Sequence, residues 1–190
     1  KRRDDDDDDE MVKREESLFR NTITTLLNLS LYAPCRHKLF EAGAVESLTD
    51  SLTGSDEEQE LALGMLQNLS LYSRCHQAVL DCGYSIQLPR FLNNASNVFI
   101  RQKACAVLQH VTTTAHIAEA LVKAGLIKLL LHERVLESQE PMFQMRIFSS
   151  LVNLSAAVPG DPALVYDELL ELLCGVYDER LSPFVDAYAS

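Results

Sequence analysis

The stretch LLNLSLYAPCRHKLFEAGAVESL, residues 26–48, returns as LQNLSLYSRCHQAVLDCGYSIQL at 66–88, with nine of 23 positions identical. A third version, LQHVTTTAHIAEALVKAGLIKLL, occupies 108–130, and a fourth begins at LVNLS, 151–155. The residue at the Asn of NLS serves as a marker: Asn28, Asn68, His110 and Asn153, at successive spacings of 40, 42 and 43. The first three markers are each followed 15 residues later by a glycine, Gly43, Gly83 and Gly125. Constant spacing within the unit and variable spacing between units is the pattern of a structural repeat with loop insertions.

The unit reads as helical. Five residues before the marker stand Ile23, Leu63, Cys105 and Phe148. Two before it stand Leu26, Leu66, Leu108 and Leu151, and one after it Leu29, Leu69, Val111 and Leu154. At 100° per residue these columns share one side of a helix, and the marker lies on the other. No strand-like alternation occurs. A short second helix is expected to end at the glycine, where a positive φ permits a sharp turn. Its apolar columns are Leu39, Val79 and Leu121 with Phe40, Leu80 and Val122. A third helix should follow, with Leu48, Leu88 and Leu130 in register and Pro89 delaying or kinking the second copy. Ser55 and Glu58 have capping-box spacing at the start of the long helix of that copy.

Such a unit cannot bury its apolar stripe alone, whereas stacked copies bury it continuously. The expected fold is all-α: a right-handed α-solenoid of about four three-helix repeats. The expected divisions are an acidic solvated linker at 1–12 and a solenoid at 13–190. Within it the units run 13–30 (partial), 31–72, 73–114, 115–157 and an atypical end unit at 158–190. In that end unit VPGDP (158–162) interrupts the pattern and Glu168 replaces the glycine. A chain starting at Lys1 with an incomplete last unit is read as a piece of a longer protein.

Composition narrows the chemistry. The formal charge is −11, with seven negatives from residues 4–10. That balance argues against nucleic acid, which wants a basic face, and suits a basic peptide or protein surface. No apolar run approaches the ~20 residues of a membrane helix. Five cysteines without a Cys-x-x-Cys pair point to a reducing compartment and a cytoplasmic location. The NLS triplets and Asn94-Ala95-Ser96 also fit the glycosylation acceptor pattern. No secretory segment is visible, so the triplets are read as places in the repeat. Cys35-Arg36-His37 and Cys75-His76 invite a metal reading, but Ile117 holds the cysteine's place in the third copy, as a buried hydrophobe would. His116 and His132 have no evident carboxylate partner. The expectation is no metal, no cofactor and no enzymatic activity.

These residues resemble armadillo repeats, through ALGMLQNLSLYSRCHQAVLDCG (62–83), LLNLSLYAPCRHKLFEAGAVESL (26–48) and the period of about 42. The resemblance spans about residues 13–175 and implies a concave groove lined by the long helices that carry the marker. It further implies that the marker Asn hydrogen-bonds the main chain of an extended peptide. An amide suits that role because it offers a donor and an acceptor regardless of the peptide's sequence. A purely structural role, bridging to the adjacent repeat, stays open beside it. The implied groove residues are Asn28, Asn68, His110 and Asn153, flanked by Arg20, Gln102 and Arg146. Importin-α-like repeats carry Trp four residues before the Asn; here Thr24, Gly64, Ala106 and Ser149 stand there, and the chain has no Trp. The expected function is a protein-interaction scaffold or adaptor. The alternative is a structural part of a large cytoskeletal or ciliary assembly, docking through edges and ends. A regulatory domain attached to an enzyme is a third possibility.

Overall fold

A computed structural model of the chain describes residues 2–93, 97–131, 140–164, 171 and 174. Among these residues there is no strand. Four long helices carry the markers near their C-terminal ends: α1 (Arg2–Ser30), α3 (Asp56–Leu69), α6 (Val98–Val111) and α9 (Pro141–Ala157). They pack side by side in chain order, α1 on α3, α3 on α6 and α6 on α9. Between them run the shorter α2 (Ala33–Glu41), α4 (His76–Val79), α5 (Ser85–Leu92), α7 (Ala115–Lys123) and α8 (Leu126–Leu130).

Local chemistry sets the boundaries. Ser55 and Glu58 form a reciprocal capping box at the start of α3, which satisfies amide donors that a helix leaves open at its first turn. The Asn97 side chain caps α6 by accepting from the amides of Phe99 (3.0 Å) and Ile100 (3.2 Å). Pro141 opens α9, where its missing N–H has no intrahelical partner to lose. Gly43, Gly83 and Gly125 take φ of +76°, +91° and +89°. All three turns sit where the sequence places them.

The core is the column set read from the repeat. Leu63, Leu66, Leu69, Cys105, Leu108, Val111 and Leu154 are fully buried, and Leu151 nearly so. Leu48, Leu88 and Leu130 are buried together despite their different local structures. Tyr84 is also fully buried and donates to the Ala104 carbonyl at 2.7 Å, tying the α4–α5 corner to α6. Among the described residues no helix is long and apolar enough to cross a membrane.

Several details differ from expectation. The third helix of the first copy is replaced by two 3-10 turns, Glu46–Leu48 and Asp50–Leu52. The reason lies in its Ser and Thr hydroxyls, which bond local carbonyls: Ser47 to Ala44, Thr49 to Glu46 and Thr53 to Asp50. In the second copy α5 begins at Ser85, without delay, and carries Pro89 inside it. The carbonyl that Pro89 cannot meet belongs to the first residue of that helix, so one bond is lost. The acidic run continues α1 back to Arg2; carboxylates at a helix start are favoured by its dipole. Leu26 is only half-buried and Leu29 is 45% exposed, because no described unit precedes α1. The Asn94 triplet, His132, Glu168 and most of the end unit lie outside the described residues.

A Cβ at Gly125 would meet nothing within 4 Å, so replacing it tests backbone geometry alone. Gly125→Ala is expected to cost about 1–2 kcal/mol from its positive φ, read as a lowered urea midpoint with unchanged slope.

Candidate functional site

The markers make the same contact in every unit that has a described predecessor. Asn68 Nδ2 donates to Ser30 Oγ at 2.9 Å. His110 Nδ1 lies 2.9 Å from Ser70 Oγ. Asn153 Nδ2 donates to Thr112 Oγ1 at 3.1 Å and to the Gln109 carbonyl at 3.0 Å. The hydroxyl partner is each time two residues after the preceding marker. That hydroxyl turns its own hydrogen onto the carbonyl three residues back: Ser30 to Leu27, Ser70 to Gln67 and Thr112 to Gln109. Ser30, Ser70 and Thr112 are buried. Because the Ser70 hydrogen is engaged, His110 carries its proton on Nδ1 and leaves Nε2 as an acceptor.

The rest of NLSLY serves the same joint. Tyr72 Oη meets His37 Nδ1 of the preceding copy of the motif at 3.2 Å, with the ring edge-on to His37 and Phe40. Thr114, its counterpart, donates to His76 Nδ1 at 2.7 Å. His76 Nε2 in turn donates to the Ser70 carbonyl at 2.7 Å. Arg36, at the matching place one unit earlier, caps the Ser30 and Leu31 carbonyls through Nε and Nη2, both at 2.8 Å. Lys, Arg or His at such a place meets the open carbonyls and the negative end of the helix dipole. These hydroxyls and carbonyl caps were not singled out from the sequence. The signal was there, since the third letter of NLS is a hydroxyl in every copy, Thr112 included.

The other implied groove residues are also engaged. Arg20 pairs with Glu57 at 2.9 Å, on an exposed surface. Gln102 donates to Glu140 at 3.3 Å, and Arg146 to Gln109 at 3.4 Å. Asn28 differs: it is exposed, and among the described residues its side chain has no hydrogen-bond partner. The structure brings Asn68, His110, Asn153 and Arg146 to the seams between adjacent long helices. It leaves Asn28 at the outer end of the row.

Lys103 closes the space over Gly64. It bridges to Glu60 at 2.6 Å, and its Cε, with Leu27, stands over the missing Cβ. Ala106 is fully buried. Between α1 and α3 a cavity of about 470 Å3 remains, lined by Phe19 and Leu61 with Glu15, Glu16, Glu57 and Glu58, and by Arg20, which pairs with Glu57. Cys75 and His76 are not side by side in function. Burial, with a smaller push from Glu46, raises the Cys75 thiol to about 12, and Ile117 occupies the same apolar core. Burial raises Cys82 to about 11 and Cys105 further still.

No protein-family profile matches the chain, and no curated protein matches it. Solved structures do. A designed armadillo repeat protein in complex with the peptide (KR)4 superposes with a TM-score of 0.68 at 16% identity, over 82% of this chain and 64% of that one. A computationally designed armadillo repeat protein for modular peptide recognition gives 0.66 at 21%, over 74% and 60%. An engineered protein gives 0.63 at 23%, over 71% and 55%. The chain thus spans only part of the length of each. The likeness is one of fold: an all-α, armadillo-like repeat solenoid.

Burial, and then the Arg146 charge, lowers the His110 pKa; the Gln67 carbonyl opposes this, while His76 and Arg36 add to it. Burial lowers His76 as well, helped by His116 and opposed by the Ser70 carbonyl. Both folded values lie below the ordinary 6.5. As pH falls the unfolded chain takes up protons first, so stability is full above 6.5 and declines as pH drops toward the folded values. His110→Asn restores the marker of the other units without a titrating group. It is expected to keep stability at neutral pH and to shrink the acid loss, measured by urea midpoints at about pH 7.5 and about pH 5.5.

Proposed function

We propose that the chain is a protein-interaction scaffold that holds an extended, basic polypeptide along the row of long helices, without catalysis. The observation that carries this is the split use of each marker. The donor N–H of Asn68, His110 and Asn153 is committed to the preceding unit. Each marker keeps one acceptor, Oδ1 of the two asparagines and Nε2 of His110, and all three residues are half-buried rather than enclosed. A row of acceptors one unit apart matches the N–H groups of an extended strand. The cavity between α1 and α3, acidic at its rim and apolar at Phe19 and Leu61, suits a Lys or Arg side chain with its aliphatic stem. Arg20, Gln102 and Arg146 flank the row and set its register, and Asn28 continues it. The solved neighbour that binds (KR)4 supports this class of ligand. The proposed location is cytoplasmic.

A second reading is favoured by the contacts that the markers already make. If the row serves only the stack, the solenoid docks through its edges and ends, as a permanent part of a large assembly such as a cytoskeletal or ciliary lattice.

Two variant pairs separate the readings, with (KR)4 peptide as probe and melting temperature beside affinity. Asn68→Ala with Asn153→Ala is expected to weaken binding by at least about tenfold and to lower the melting temperature. Ser30→Ala with Thr112→Val removes the partners inside the stack, lowering melting temperature while affinity holds. A melting loss without an affinity loss in the first pair would leave the markers a structural role alone.

A further inference from the structure

One member of the marker row differs from the others in chemistry as well as in shape. Asn68 and Asn153 keep Oδ1 beside the committed amide, and that oxygen accepts at any pH. His110 stands between them on α6, with α3 packed on one side and α9 on the other. Its Nδ1–H is held by Ser70 Oγ at 2.9 Å. Its Nε2 has no hydrogen-bond partner among the described residues and stays open to water. An imidazole nitrogen accepts only while the ring is neutral. A proton on Nε2 turns the acceptor into a donor and adds a full positive charge, while Nδ1–H keeps its bond to Ser70.

The groups around His110 sharpen this contrast. Arg146 from α9, Arg36 from α2 and, once protonated, His76 from α4 act on it with positive charge. Arg146 itself turns to the neutral Gln109 at 3.4 Å. From α3 the neighbours are the Ser70 hydroxyl and the Gln67 carbonyl, which favours the charged ring without neutralising it. No carboxylate among the described residues pairs with His110. A charge placed there is left to repel whatever cation lies over the row.

We infer that His110 makes retention of a basic polypeptide sensitive to pH: protonation removes the middle acceptor of the row and repels the ligand, while Asn68 and Asn153 are indifferent to acid. This regulation rests on the reading of the row as a peptide site. Its sign follows from linkage. A basic peptide over the row disfavours the imidazolium, so His110 titrates lower in the complex than in the free chain. The free-chain value itself lies below the ordinary 6.5. Affinity is therefore constant above that value and falls as pH drops through it, by at most about tenfold per pH unit. The joint between α3 and α6 is spared the direct blow, because the proton arrives on the nitrogen that the stack does not use.

Affinity of the full chain for (KR)4 peptide at about pH 7.5 and about pH 5.5 tests it, with the His110 ring titrated by NMR in the free and the peptide-saturated protein. Lys and Arg of the peptide hold their charge throughout this range. His110→Asn supplies a fixed acceptor and should match the wild type at the higher pH. At the lower pH the wild type should bind at least about threefold more weakly than the variant. The comparison cancels any titration of the cavity glutamates, which both proteins share. Asn68→His, added to His110→Asn, should bring the acid loss back by placing a titrating ring against Ser30. An equal response of wild type and His110→Asn to acid, or a His110 titration unmoved by peptide, would overturn the inference and leave the peptide reading in place. If neither protein binds (KR)4 at the higher pH, the peptide reading itself falls, and the inference with it.

Discussion

The stack depends on one arrangement: a buried hydroxyl held between two helices. Ser30, Ser70 and Thr112 each direct their single hydrogen back along their own helix. Their lone pairs are thereby fixed in direction, toward the donor of the next unit. Each such bond contributes only about 1 kcal/mol net, but leaving a buried hydroxyl or amide unmatched would cost more. Rotating a long helix by one residue moves the donor about 100° away and strands both groups. Apolar burial supplies most of the attraction between units, and the polar pair selects the one register in which that burial is complete. Position in NLSLY follows directly: Asn reaches back, Leu fills the core, Ser waits for the next unit, and Tyr braces the edge.

How far these features were legible depends on their range. Apolar columns, glycine turns and the capping box are set by residues within a few positions of one another, and they stand where periodicity puts them. The marker's partner lies about one unit away in sequence, at 38 to 44 residues. No local spacing reveals which way a polar side chain turns across that distance. Repetition was the available clue, since a hydroxyl occupies the same place in all four copies. The 3-10 turns after Gly43 were hidden for a different reason. Leu48 keeps the column, and it stays buried, while the neighbouring Ser and Thr residues divert the backbone hydrogen bonds.

The same packing shapes the outer surface. Where a Trp array would leave slots, Gly64 lies beneath Leu27 and Lys103, and Ala106 is buried. Close approach of the long helices is what the small residues permit, and Lys103 then turns its charge to Glu60. Charge on this face is thus mostly paired, except near α1 and α3, where carboxylates outnumber Arg20. On the proposed reading, recognition along the row would fall to main-chain hydrogen bonds, with side-chain selection concentrated at one end.

Burial of the thiols has a practical corollary. Cys75 lies in the core of the second copy and Cys105 in that of the third, both held as neutral thiols. Alkylating reagents attack the thiolate, so neither sulfur reacts until its own unit parts from its neighbour. The rate at which each is labelled in the intact protein is then a clock on one joint, and the two clocks together show whether the stack breathes as a whole or opens unit by unit.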